Sequence, residues 1–127
     1  MTADLTGRHI LIVEDEVIIA MSLESELRKH GCVIVGPAAR VDRALELTNS
    51  ERLDAALLDI GLRGEPVFPV ADALATRGVP FAFLSGYEVG AMPSEHRHRP
   101  VLTKPNFLDA LLATLGMLIA TSPGGMR

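Results

Sequence analysis

The stretch Leu57-Leu58-Asp59-Ile60-Gly61-Leu62 decides the fold: a short apolar run of strand character ends on a carboxylate and passes straight into a glycine-containing loop. In an open α/β sheet, chemistry collects in the crevice beyond the carboxyl ends of the strands, so an Asp that ends a buried strand is placed to react. Other apolar runs end in the same way. His9-Ile10-Leu11-Ile12-Val13 runs into Glu14-Asp15-Glu16, Phe81-Ala82-Phe83-Leu84 into Ser85-Gly86, and Val101-Leu102-Thr103 into Lys104-Pro105. If these strands are parallel, acids, a hydroxyl and an ammonium meet at one edge of the sheet.

Outward from that stretch, strand and helix signals alternate. After the acids, Val17, Ile18, Met21, Ser22, Ser25 and Leu27 suit an amphipathic helix to about His30, with Gly31 as its stop. Cys32 to Val35 reads as a β-branched strand ended by Gly36-Pro37, and Val41, Ala44, Leu45 and Leu47 mark a short second helix. Beyond Asp59, the loop from Gly61 to Pro66 is too rich in Gly and Pro to be helical; a helix resumes near Val70 to Arg77 and Gly78 closes it. Between the fourth and fifth strands, Gly90 and Pro93 leave room only for a short or mobile fourth helix. A final helix spans about Phe107 to Ala120, with Leu108, Leu111, Leu112, Leu115 and Ile119 as its apolar stripe. The fold class expected is α/β: a five-stranded parallel sheet, doubly wound, with helices on both faces.

Composition narrows the function classes. The 127 residues suit a single domain over 1–127, its core at about 8–120 between a loose lead-in and a frayed tail, with enough chain to bury a core unaided. A net charge of −4 and an interrupted run of basic residues between Arg97 and Lys104 leave no nucleic-acid footprint. The single cysteine, Cys32, excludes an internal disulfide and reads as an inert core residue. No stretch is apolar for long enough to span a bilayer, and the N-terminus lacks the segments of a secretory signal. A cytoplasmic protein without nucleic-acid or membrane partners is expected.

Glu14, Asp15 and Asp59 at neighbouring strand ends repel one another unless a cation joins them. Hard carboxylate oxygens suit Mg²⁺, which commonly takes one or two protein carboxylates and completes its shell with water or phosphate oxygens. Asp59 then has two open roles, metal ligand and nucleophile. As a nucleophile it would attack phosphorus to give an aspartyl phosphate, whose charge needs fixed positive partners: the metal, the Lys104 ammonium, and the Ser85 hydroxyl with nearby N–H groups. Gly86 leaves space above Asp59 for a donor. Read singly, these residues are ordinary turn and cap residues, and Asp15 could simply cap the first helix. His96 and His98, in an Arg-rich loop, read as solvated rather than as metal ligands.

Together, Glu14-Asp15, Asp59, Ser85 and Lys104-Pro105, each after its own strand, resemble the receiver domain of two-component response regulators over about Arg8 to Ala120. The resemblance implies a flavodoxin-like, CheY-like (βα)5 fold, with Asp59 as phosphoacceptor and Asp15 and Glu14 as Mg²⁺ ligands, direct and through water. It also implies that the Gly61 carbonyl binds the metal, that Ser85 and Lys104 bind the phosphoryl group, and that the Lys104-Pro105 peptide is cis. Two positions depart from the common pattern. Val101 stands where most receivers carry a Phe or Tyr. Phe83-Leu84-Ser85-Gly86-Tyr87, with Pro66 to Pro69 and Gly78-Val79-Pro80-Phe81, is instead similar to the FAT GUY group of stand-alone receivers. Tyr87 is then the switch candidate, or else only a hydrophobic cover.

The reading that follows is a single-domain response regulator of a phosphorelay. It takes a phosphoryl group from a histidine kinase, of the HWE or a related class by the FAT GUY resemblance, or from a histidine phosphotransfer protein. It acts on a downstream protein that the sequence does not name, and it is expected to be a monomer and not an enzyme. Apolar surface around Val101, Leu108 and Leu112 is a candidate partner face. A small Mg²⁺-dependent phosphohydrolase is the alternative; haloacid-dehalogenase-like phosphatases place a second Asp two residues after the nucleophile, where this chain has Gly61. A phosphorylation-independent binding domain is a further alternative, and the intact acids, hydroxyl and lysine argue against it.

Overall fold

The computed structural model describes residues 4–62, 64–86, 92–104 and 108–121. Tyr87 and the Lys104-Pro105 peptide lie outside this description. Five strands, β1 (His9–Val13), β2 (Val33–Ala38), β3 (Ala55–Asp59), β4 (Phe81–Ser85) and β5 (Val101–Thr103), form one parallel sheet in the order β2-β1-β3-β4-β5. Four helices connect or follow them: α1 (Val17–Lys29), α2 (Val41–Ser50), α3 (Phe68–Thr76) and α4 (Leu108–Thr121). This is the doubly wound, flavodoxin-like order, with its switch point between β1 and β3. No described helix is long and apolar enough to cross a membrane.

The strand period of two divides the core into two layers. Leu11, Val13, Ala56, Leu58, Phe81 and Phe83 pack with Ala44, Leu47, Val70, Ala71 and Leu74 of α2 and α3. The alternate residues Ile10, Ile12, Ala55, Leu57, Ala82 and Leu84 pack with Leu23 and Leu27 of α1 and with Leu111, Leu115 and Ile119 of α4. Because both faces are covered, the central strands read as unbroken apolar runs instead of alternating ones. Register then fixes the chemistry: Val13 lies opposite Leu58, Asp59 opposite Leu84, and Ser85 opposite Thr103. The residues at and just past these pairs share one edge.

Three sequence expectations are corrected. The strand expected to stop at Gly36-Pro37 runs on to Ala38, which pairs with Val13 after a break in register. An edge strand tolerates proline, and Gly36 absorbs the irregularity at φ +94°, where a Cβ would lie 2.9 Å from the Ala38 nitrogen and the Ile12 carbonyl oxygen. In α1 the buried residues are Ala20, Leu23 and Leu27, while Val17, Ile18 and Met21 are 70%, 78% and 62% exposed. Residues 17–21 are apolar all round, so composition does not choose a face there; the spacing of Ala20, Leu23 and Leu27 does. Between β4 and β5 the described residues hold a short 3₁₀ turn, Ser94–His96, in keeping with the short fourth helix expected there, and residues 87–91 lie outside the description.

The third correction concerns His96, which is buried rather than solvated. Its ring stacks on Phe68 and meets Phe81 and Phe83 edge-on, and its Nε2 lies 2.8 Å from Asp72 Oδ1 on α3. His98 is exposed, as expected, and Cys32 is buried with its thiol against the Leu5 carbonyl.

Candidate functional site

At the carboxyl edge, the end of β1 delivers Glu14 and Asp15, the end of β3 delivers Asp59, and β4 and β5 deliver Ser85 and Lys104. Glu14, Asp59 and Ser85 are buried, at 2%, 3% and 8% exposure. One carboxylate oxygen from each of Glu14, Asp15 and Asp59 lies within 4.8 Å of the others. The Lys104 ammonium is 2.9 Å from Glu14 Oε1, 2.9 Å from Glu16 Oε1 and 3.2 Å from Asp59 Oδ2. Backbone groups fix the acids: the Gly61 N–H donates to Asp59 Oδ1 at 2.9 Å, and the Glu16 N–H donates to Glu14 Oε2 at 3.0 Å. The start of α1 is therefore tied by the side chain of Glu14. Asp15 is not its cap, since Glu16 holds that position and no side chain caps it.

The six described residues singled out from the sequence, Glu14, Asp15, Asp59, Gly61, Ser85 and Lys104, fall at this one edge. Glu16 is the participant that the sequence reading passed over as a helix residue. Its signal was available: it lies in an unbroken acidic run at a strand end, and the site carries only one ammonium. A second cluster, Asp72, Glu95 and His96, also brings ligand-type atoms within 4.8 Å of each other, away from the edge. There the His96–Asp72 hydrogen bond already satisfies the ring nitrogen that faces the acid.

Crowding of the carboxylates separates their affinities for a proton. Burial, and then the neighbouring Asp59, push Glu14 from its ordinary 4.5 up to about 7, against the Glu16 N–H and Lys104. Burial also pushes Asp59 upward, but a hydrogen bond with protonated Glu14, the Gly61 N–H and the Lys104 ammonium outweigh it and hold Asp59 low. Burial pulls Lys104 down, but Glu16, Glu14 and Asp59 outweigh it and hold the ammonium charged. Asp59 is thus the ionised member of the pair, as a nucleophile must be.

This separation has a pH signature in metal-free protein. Between about 4.5 and 7 the native state holds a proton on Glu14 that the unfolded chain has lost, so stability falls as pH rises through that window. Asp59, held low, withdraws its contribution only as pH falls below its ordinary 3.8, and Lys104, held high, only above its ordinary 10.5. Urea unfolding of chelator-treated protein at pH 5, 6, 7 and 8 is expected to show the decline. Glu14→Gln is expected to flatten it, and an equal decline in that variant would place the proton elsewhere.

The site fits a hard divalent cation: three carboxylates converge with a single ammonium among them. Compared with known protein families, residues 10–115 match the response regulator receiver domain. This chain belongs to that family. As a receiver it is 31% identical over 117 residues to the transcriptional regulatory protein PdtaR of Mycobacterium tuberculosis, a match covering 89% of this chain. The match covers 57% of PdtaR, so this receiver spans little more than half the length of that relative. It is 43% identical to SdrG from Sphingomonas melonis Fr1, with a TM-score of 0.74 over 86% of this chain and 96% of SdrG. A BeF3-activated conformation of SdrG is 42% identical, with a TM-score of 0.74 over 94% of this chain and 99% of that one. The receiver domain of the sensor histidine kinase PA1611 from Pseudomonas aeruginosa PAO1, solved with magnesium in its active-site cleft, shares the fold at a TM-score of 0.75 and 23% identity over 91% of this chain and all of that one.

Proposed function

We propose that this receiver accepts a phosphoryl group on Asp59, with Mg²⁺ held by Asp15, Asp59, the Gly61 carbonyl and, through water, Glu14, and that it signals by binding another protein. The observation that carries this reading is the placement of Asp59: buried, at the end of β3, with an ammonium 3.2 Å from Oδ2 and an N–H on Oδ1. Receiver domains bind Mg²⁺ at this site and interact with histidine kinases or partner proteins. The metal supplies a second positive charge against the phosphoryl oxygens when bound.

The chain's own residues do the remainder. An Asp59 oxygen attacks phosphorus while the P–N bond of a donor phosphohistidine breaks, and the departing imidazole keeps the bonding electron pair. Lys104 neutralises one arriving oxygen, and the Ser85 hydroxyl donates to another. A protein donor, histidine kinase or histidine phosphotransfer protein, is supported by the exposed Val17, Ile18 and Met21, which follow the acidic run directly on the first turns of α1 and offer apolar surface there. The kinase is assigned to the HWE or a related class, and the switch to Tyr87, on the FAT GUY motif alone. Val101 on β5 offers no ring for that role.

The test is titration with beryllofluoride and Mg²⁺ followed by NMR. Saturable changes at Asp59, Ser85 and Lys104 are expected in the wild type and not in Asp59→Asn. Unchanged spectra in protein that still binds Mg²⁺ would contradict the phosphoacceptor reading.

A further inference from the structure

We infer that Glu16 is a positioning residue for phosphoryl acceptance, a releasable clamp that holds the Lys104 ammonium away from the incoming group in the resting protein. This rests on the proposed role of Asp59, and it concerns a side chain to which that reading gives no part. An ammonium has three N–H donors. Lys104 gives one to Glu16 at 2.9 Å, and its ammonium lies in ion-pair range of Glu14 at 2.9 Å and Asp59 at 3.2 Å. The hydrogen bond to Glu16 and the crowding by two further acids mean that an arriving phosphoryl oxygen has to displace a partner.

The surroundings decide which one. Asp59 is the acceptor itself, pinned by the Gly61 N–H. Glu14 has a fully buried side chain, at 0% exposure, and its other oxygen is held by the Glu16 N–H. Moving it would leave a fully buried carboxyl group without its backbone partner. The Glu16 side chain is 60% exposed, and Lys104 is the partner of its carboxylate. Of the three it turns into water at the lowest cost, because its own carboxylate is exposed and rehydrates on release while the buried ammonium keeps Glu14 and Asp59 beside it. Two properties follow. Glu16 sets the resting position of Lys104 from the first residues of α1, and its negative charge stands at the mouth through which an anionic donor enters.

Removing the clamp should therefore speed acceptance. With acetyl phosphate as donor, the Asp59 oxygen–phosphorus bond forms as the phosphorus–oxygen bond to acetate breaks, and acetate leaves with the electron pair; no other reactant is needed. Glu16→Ala is expected to phosphorylate about two- to five-fold faster than the wild type, the scale of one ion pair with a single exposed partner. Glu16→Asp separates contact from charge, since it keeps the negative charge but is one methylene too short to reach the ammonium. A rate close to that of Glu16→Ala supports the clamp. A wild-type rate in Glu16→Asp would overturn it in favour of a simple field effect, and unchanged rates in both variants would overturn it altogether.

A second readout does not depend on phosphorylation. In metal-free protein the side-chain ammonium of Lys104, followed by heteronuclear NMR, is expected to shift and to exchange faster with solvent in both variants. An unmoved Lys104 signal would overturn the clamp even if no phosphoryl group is accepted. Failure of the wild type to take phosphate, with a shifted Lys104 signal, would instead count against the role of Asp59.

Discussion

Lys104→Met is expected to lower the rate of phosphoryl acceptance from acetyl phosphate by about 100-fold or more, the scale on which a single fixed charge-stabilising donor contributes in a dry site. Methionine keeps much of the aliphatic stem and removes the ammonium, so the loss reports charge and not packing. The same substitution should weaken the metal-free fold. Glu14 and Asp59, buried beside Asp15, would lose the cation that lies within 3.2 Å of both. Breaking a buried pair from one side costs about 3–5 kcal/mol, less where a proton can take the place of the lost charge. Denaturant unfolding at pH 8 should show the full penalty, with a smaller one at pH 6, where Glu14 holds its proton, and Mg²⁺ should restore most of the loss. Unaltered phosphorylation in Lys104→Met would show that the ammonium is a structural counter-ion and nothing more.

The second large effect lies in the core. Phe83→Ala is expected to destabilise the protein by about 3–5 kcal/mol, as a cavity is left where a fully buried ring stood. Its neighbours give little scope for collapse: the rings of Phe81, Phe68 and His96 surround it at centroid distances of 5.5, 6.0 and 6.1 Å. Phe83 also sits two residues before Ser85 on β4, so the cavity opens directly behind the hydroxyl of the site. Phe83→Leu, which fills most of the space, should cost far less. Equilibrium unfolding of both variants checks this, and a loss below about 1 kcal/mol in Phe83→Ala would mean that His96 or Phe68 moves in to fill the gap.

The sheet and its reactive edge were legible in the sequence because a buried parallel strand carries a strong signal: an apolar run stopped by a polar residue. Ile10 to Val13, Ala55 to Leu58 and Phe81 to Leu84 are of this kind, and Glu14, Asp59 and Ser85 follow from where the runs stop. What stayed hidden depends on tertiary neighbours. Val17, Ile18 and Met21 looked like core because nothing local says which side of an all-apolar turn will meet the sheet. His96 looked solvated because its flanking residues are charged; its burial comes from Phe68, Phe81 and Phe83, which are distant in the chain. Glu16 was missed because the acidic run marks the strand end without saying which of its members reaches a residue 88 positions away. The extension of β2 through Gly36-Pro37 escaped for a different reason: both residues are strand breakers on average, and only an edge position with a bulge accommodates them.

Asp59 as phosphoacceptor is the central claim, and intact-mass analysis tests it most directly. Wild type and Asp59→Asn would each be incubated with acetyl phosphate, with and without Mg²⁺. The account predicts one phosphoryl adduct on the wild type, dependent on Mg²⁺ and absent from Asp59→Asn. An adduct of equal yield on Asp59→Asn, or one indifferent to Mg²⁺, would contradict it.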